Sequence, residues 1–407
     1  MKTPALNRRR IETVIAGLVA VGAAIVGLTA NEGRTLGAKY VALERLAYVK
    51  NPTYLTQPPG QGSDLYVAQR GGAIRIIADD RLLRRPFLDI RSLVKAHGRR
   101  SEPGMTSLAF SPDYRRTGLF YVAYTDHRDA LVLAAYRRSA TDPRLGDPST
   151  GRVILRIPEP TPAHHGGLAV FGPGGHLYFG TGDGGDERTA QDRAQLLGKV
   201  LRIDPTEDGY TVPGDNPYVD GGGRDEIWSY GVRNPRGISF DRVRNTIAIA
   251  DRGNDRFEEV NYLKVAASRG ANLGWPAFEA FAPLRGGIAR RDTVEPAIAY
   301  RHDPGCAIAG GFVVRDSHLA RIRGREIFGD YVFGDFCTGN VYGFRPRTGE
   351  RVGKQRTFRF GARYLDSIGR DNSGRIYLLT ERGPEHKSKP SLGSVYRLVP
   401  HRKELPR

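Results

Sequence analysis

A phrase recurs along this chain at a near-constant spacing, and it constrains the fold more than any single motif does. Small or apolar residues lead to a Phe or Ile, then a polar turn, then an apolar-aromatic run. One copy is Ser107-Leu-Ala-Phe-Ser-Pro-Asp-Tyr114 followed by Leu119-Phe-Tyr-Val-Ala-Tyr124. Further copies run from Gly167 to Phe179, from Gly237 to Ala250 and from Asp366 to Leu379. Their anchors, Phe110, Phe171, Phe240 and Ile368, lie 61, 69 and 128 residues apart, the last being two periods of 64. A single hairpin cannot bury its own apolar face, so such units must stack or close into a ring.

The local pattern agrees. Alternating, β-branched or aromatic stretches occur at Asp64–Ala68, Ala73–Ile77, Leu131–Tyr136, Val153–Ile157, Lys199–Ile203, Glu226–Tyr230, Tyr331–Phe333, Asn340–Phe344 and Ser394–Leu398. Helical periodicity is scarce, with one short helix expected at Thr189–Leu197. Gly 51 and Pro 26 make up about a fifth of the 407 residues, as many tight turns require. Roughly 350 residues at about 60 per unit give about six units of four strands, an all-β, six-bladed β-propeller. The expected organisation is a leader at 1–30, a spacer at 31–49, the propeller at 50–400 and a basic tail at 401–407.

The leader is read from Arg8-Arg9-Arg10 ahead of the uncharged stretch Thr13 to Ala30. A basic flank before an apolar core marks a secretory signal or a signal anchor. This places the propeller outside the cytoplasm, in the periplasm or beyond, either released by cleavage after Ala30 or tethered to a membrane through residues 11–30. In such a compartment the two cysteines, Cys306 and Cys337, are expected as a disulfide. Closing a loop of 31 positions stabilises by roughly 3–4 kcal/mol in the chain-entropy picture. The rival, a two-cysteine metal site, lacks CxxC spacing. The net charge is +18, but it is scattered. With no basic helix and no RNA-binding aromatic signature, nucleic acid is excluded as the partner.

Three constellations could carry chemistry. Ala163-His-His-Gly-Gly167 puts a histidine, the commonest general base, beside glycines that let a ligand approach the backbone, or holds a loop histidine satisfied by its neighbours. Tyr230-Gly-Val-Arg-Asn-Pro-Arg-Gly237 offers Arg233 for bidentate bonds to carboxylates, and Asn234 as donor and acceptor; a turn with surface arginines is the plainer alternative. Asp251-Arg-Gly-Asn-Asp-Arg-Phe-Glu-Glu-Val-Asn261 collects oxygen ligands suited to calcium, or is a solvated charged turn. Gly180-Thr-Gly-Asp-Gly-Gly185 matches a dinucleotide fingerprint, but that site needs alternating βα units, which this chain lacks.

Taken in order, these pieces resemble the glucose/sorbosone dehydrogenase family, soluble sugar dehydrogenases that use pyrroloquinoline quinone (PQQ). The resemblance runs from about Tyr66 to Leu398. It includes Pro86-Phe-Leu-Asp-Ile90, the Glu102 to Asp113 segment, His164 to Asp183, Leu196 to Asp204, Asn272-Leu-Gly-Trp-Pro276 and Phe333-Gly-Asp-Phe-Cys-Thr-Gly339. It implies a six-bladed propeller that oxidises the anomeric hydroxyl of an aldose sugar and passes electrons to a quinone or another acceptor. By resemblance His164 is the general base, and Glu102, Arg233, Asn234 and Arg363 are cofactor contacts. The carbonyls of Gly253 and Asn254 match calcium ligands. The chain departs from the glucose-oxidising branch at four places. Cys337 or Thr338 stands where that branch has a Lys that grips PQQ, Leu365 where it has a second Arg, Leu168 where it has an Arg and Leu273 where it has a Tyr. The cysteine pair resembles a branch with non-catalytic, hedgehog-interacting-type propellers, which bind glycan, protein or metal.

Overall fold

The computed structural model describes residues 36–37, 40–60, 62–95, 102–206, 209–303, 305–320, 327–352, 355–381 and 392–401. The leader at 1–30 and nearly all of the basic tail lie outside the described residues.

Among the described residues there are six antiparallel sheets of four or five strands, with one two-stranded ribbon, Phe278–Glu279 with Ala282–Pro283, beside them. Their inner strands are Pro52–Thr56, Met105–Phe110, Gly166–Phe171, Pro235–Asp241, Ile308–Val313 and Leu365–Arg370. Each inner strand packs against the next, and the sixth packs against the first, so the ring is closed. The protein is a six-bladed β-propeller, as the repeat implied.

The packing explains the repeat. Phe110 meets Tyr66 of the preceding blade at 4.9 Å between ring centroids, Phe171 meets Tyr121 at 5.6 Å and Phe240 meets Tyr178 at 4.8 Å. In each case an inner-strand Phe lies against a Tyr on the second strand of the blade before it. Such edge-to-face or tilted pairs add about 0.5–1.5 kcal/mol to the area they bury. Ile368 lies in the apolar cluster that also holds Val332, second strand of the preceding blade. The anchors recur because every blade-to-blade seam needs the same filler.

Two expectations are corrected. The last part of the expected spacer is a strand: Val41–Lys50 pairs antiparallel with Leu392–Pro400, with Leu43 opposite Leu398. The sixth blade therefore takes its outer strand from the start of the chain, and Val41, Leu43 and Val49 are buried in it. The helix expected at Thr189–Leu197 is a single 3-10 turn, Glu187–Ala190, followed by turns. The reason is Lys199. Its buried ammonium accepts no bonds but donates three, to the carbonyls of Thr189 (2.6 Å), Ala190 (3.2 Å) and Leu197 (2.6 Å). Those carbonyls converge on one cation instead of running parallel along a helix axis. Burial lowers the Lys199 pKa to about 7.

In an antiparallel pair the start of the inner strand and the end of the second strand lie at the same rim. Arg70, Glu102, His164, Asp183, Arg233, Arg252, Cys306, Cys337, Tyr364 and Glu381 all fall at such positions. Residues hundreds of positions apart are thus brought to one face.

Candidate active site

His164 sits on the turn that enters the third blade, with φ +58°, a left-handed conformation rarely adopted by side-chain-bearing residues. Its ring Nδ1 lies 2.6 Å from Asp183 Oδ1. Asp183, 1 % exposed, also accepts from the Gly185 amide at 2.8 Å and the Trp275 indole Nε1 at 2.9 Å. Since a carboxylate only accepts, Nδ1 carries the proton, and in the neutral ring Nε2 is the nitrogen with the lone pair. The His164 side chain is 21 % exposed. Glycines make the turn possible. A Cβ on Gly182 would sit 1.5 Å from the His164 carbonyl oxygen, and one on Gly166 would sit 2.7 Å from the Gly182 amide. The fingerprint-like Gly180–Gly185 run thus serves close backbone packing behind the histidine, and a 3-10 turn follows it.

Glu102 ties this turn to the fourth blade. Its Oε2 accepts the His164 amide at 2.5 Å, and its Oε1 accepts Asn234 Nδ2 at 2.9 Å. Asn234 Oδ1 accepts the Gly166 amide at 3.2 Å. The amides of Arg233 and Asn234 in turn donate to the two oxygens of Asp251, at 2.8 and 2.6 Å. Burial pushes Glu102 up, but Arg252 and Arg236, with the two histidines, outweigh it and hold the carboxyl at about 2. Asp251 has no such cation cluster, and burial raises it to about 7 despite the two amides.

A cavity of about 400 Å³ opens beside Glu102. Its charged lining is Arg70, Arg236 and Arg252 with Glu102, Asp366 and Glu381. The signs match one to one. Arg70 reaches Asp366 at 3.3 Å and Glu381 at 2.5 Å, Arg236 reaches Asp366 at 3.5 Å, and Arg252 approaches Glu102 at 3.7 Å. Sequence reasoning did not single out Arg70, Arg236, Asp366 and Glu381: they come from three blades, and although Arg236 and Asp366 stand inside quoted phrases, nothing local shows that they meet. Cys337 lines the same cavity and is bonded to Cys306, with Cα atoms 5.7 Å apart. Buried Asp335 braces both arms of that bridge, taking the Cys306 amide at 3.0 Å on one oxygen and the Thr338 amide at 2.8 Å on the other.

The structure brings His164, Glu102, Arg233 and Asn234 together. Arg363, by contrast, is exposed and does not line the cavity. Leu365, wholly buried, packs on Gly334, while Leu168 and Leu273 lie in the apolar cluster between the third and fourth blades. At these three positions the chain has filled a seam with hydrocarbon.

Three of the four carboxylates of the 251–261 segment, Asp251, Glu258 and Glu259, turn inward, while Asp255 is exposed. Asp251 is engaged as above. Glu258 accepts from His302 Nε2 at 2.5 Å and the Ile308 amide at 2.8 Å, and Glu259 accepts from Asn261 at 3.0 Å. No group of three His, Cys, Asp or Glu that could hold a metal occurs among the described residues. The backbone here is arranged differently. Glu279 gathers the amides of Asn254, Asp255, Arg256 and Phe257 on one oxygen, at 2.8–3.2 Å. The carbonyls of Gly253 and Asn254 accept no backbone hydrogen bond among the described residues. Gly253 is required, because a Cβ there would lie 1.6 Å from the Phe257 oxygen.

A six-bladed propeller with a carboxylate-oriented histidine and a charged cavity on one rim is the class that fold and site define. The glucose/sorbosone dehydrogenase family model matches residues 49–387, and the chain belongs to that family. Hedgehog-interacting protein of Mus musculus is 26 % identical over 382 residues, covering 85 % of this chain and 51 % of its own length. Aldose sugar dehydrogenase YliI of Escherichia coli is 31 % identical over 218 residues, covering 52 % of this chain and 55 % of its own length. The chain spans about half the length of the curated relatives it matches. The PQQ-bound aldose sugar dehydrogenase of Streptomyces coelicolor superposes with a TM-score of 0.70 at 22 % identity, over 89 % of this chain and 98 % of that one. No helix among the described residues is long and apolar enough to cross a membrane.

Proposed function

We propose that this protein oxidises the anomeric hydroxyl of an aldose sugar, with His164 as general base and hydride passing to PQQ bound with calcium. The observation that carries the reading is the His164–Asp183 pair beside the Glu102 cavity: an oriented, partly exposed imidazole with Nε2 available.

The residues present fit the cofactor. The Arg233 Nε is buried without a partner, and its other nitrogens make only long contacts, to the Arg252 carbonyl at 3.4 Å and Asn254 Oδ1 at 3.3 Å. An under-bonded guanidinium suits a carboxylate. The open carbonyls of Gly253 and Asn254 suit a hard cation. In this reading Arg233 holds the cofactor, the two carbonyls hold calcium, and Glu102 with Asn234 fixes the turn that carries His164. When bound, PQQ supplies the two-electron acceptor and calcium polarises it. Asp183 keeps Nδ1 protonated, so Nε2 takes the hydroxyl proton as the C–H hydride departs. The resulting imidazolium is stabilised by the same carboxylate. Electrons then leave to a quinone or another carrier. The disulfide supports an extracytoplasmic site of action, with residues 1–30 as signal or tether.

A second reading has its own observation. The three cavity arginines are already matched by three carboxylates, and the position of the family's gripping Lys holds a disulfide. That favours a non-catalytic propeller, like the hedgehog-interacting type, with glycan, protein or metal as ligand. Calorimetric titration of PQQ into the full chain with calcium present separates the two. Tight binding abolished by a chelator supports the dehydrogenase, and no heat of binding supports the second reading.

A further inference from the structure

A second cavity, of about 470 Å³, lies on the first blade, and Arg70 forms part of both its wall and that of the active-site cavity. Its charge is of another kind. The ionisable lining is Lys50, Arg70, Arg75, Arg84, Asp89 and Arg91. Arg70 is held by Asp366 and Glu381, and Arg91 forms a two-pronged pair with Asp89 at 2.8 and 2.6 Å. Lys50, Arg75 and Arg84 have no carboxylate partner among the described residues. Arg75 is the informative one. Its guanidinium bonds only to the carbonyls of Leu83 and Arg84, and its Nε is buried with no partner.

Three uncompensated cations around one concavity repel one another, and a partly buried guanidinium with an orphan N–H is costly. An anion relieves both penalties, and arginines bind phosphate and carboxylate in the same two-pronged geometry. The volume matches small-molecule sites. We propose that this cavity is an anion-binding site, distinct from the His164 site, for a sugar-sized molecule bearing a phosphate or carboxylate group.

The test is calorimetry on the full chain with inorganic phosphate and, separately, citrate, at low and at physiological salt. Saturable binding of either probe is expected, weakened roughly tenfold or more by Arg84→Gln and by Lys50→Gln. Both side chains are exposed, so the fold is retained, which the ligand-free Tm checks. Binding should be unchanged in Arg115→Gln, an exposed arginine just past the other end of the second inner strand. It should also be unchanged in His164→Ala, which separates this inference from the dehydrogenase reading. Phosphate alone binding assigns a phosphorylated ligand, and citrate alone an acidic one. No saturable binding of either probe, or an equal loss in Arg115→Gln, overturns the proposal.

Discussion

His164 and His165 are neighbours in sequence and opposites in environment. Both rings use Nδ1 on a carboxylate, Asp183 for the first and Glu159 for the second. His164 is 21 % exposed, beside a charged cavity. His165 is 0 % exposed, as is the Glu159 side chain, and its Nε2 and Glu159 Oε1 are buried without partners. The same imidazole–carboxylate pairing therefore stands partly open to solvent in one place and wholly in the interior in the other. What separates them is the left-handed backbone at His164, which sends consecutive side chains to different surroundings. Imidazole beside carboxylate does not by itself define a catalytic residue.

The contrast can be broken by exchanging the consequences. His164→Ala should lower dye-linked turnover of aldoses with added PQQ and calcium by about 10²–10⁴-fold, with little change in Tm. Full retained turnover would remove His164 from catalysis. His165→Ala should do the reverse. It leaves Glu159 buried without its partner, at a cost of about 3 kcal/mol or more in denaturant unfolding. An unchanged unfolding midpoint would show that the interior pair is not a brace. A smaller effect is expected from Trp275→Phe, which removes the indole donor to Asp183 but keeps a ring. A loss of about one hydrogen bond, roughly 1 kcal/mol, should appear in kcat more than in KM.

The smallest effect extends the contrast to two partly buried carboxyls, Glu259 raised by burial and Glu102 held down by arginines. Glu259 is raised by burial to about 8, so between about pH 4.5 and about pH 8 the folded state keeps a proton that the unfolded state has lost. Its contribution is complete at low pH and disappears as pH rises through about 8. Glu102, held at about 2, does the opposite: it stabilises above its ordinary range and loses that contribution as pH falls towards about 2. Glu259→Gln should therefore flatten the decline of Tm between about pH 4.5 and about pH 8, and Glu102→Gln the decline from about pH 4.5 down towards about 2. Tm measured against pH reads both, and parallel curves for variant and parent would refute the assignment.

Much of the fold was legible. Phe110, Phe171 and Phe240 mark inner strands because a seam between blades needs the same large apolar filler each time. The first and fifth inner strands carry Leu55 and Phe312 in less regular phrases, so they escaped the repeat. The site was half legible. His164, Arg233 and Asn234 stand in glycine- and proline-marked turns that can be seen locally. Asp183 lay in view inside the Gly-rich run, 19 positions from His164, but nothing local pairs the two, and its indole donor is 92 positions away. Arg363 was placed by resemblance, and nothing local could show that its side chain would be exposed.

The sequence by itself determined the all-β ring, the pairing of Cys306 with Cys337 and the turn that presents a histidine. Each of these is encoded in a repeat, a count or a short motif. Only the tertiary structure decided which charges meet. Arg70 finds Asp366 and Glu381, and Val41–Lys50 finds Leu392–Pro400, across most of the chain's length. Closure of the ring sets those distances, and local backbone preferences carry no information about partners that only closure brings together.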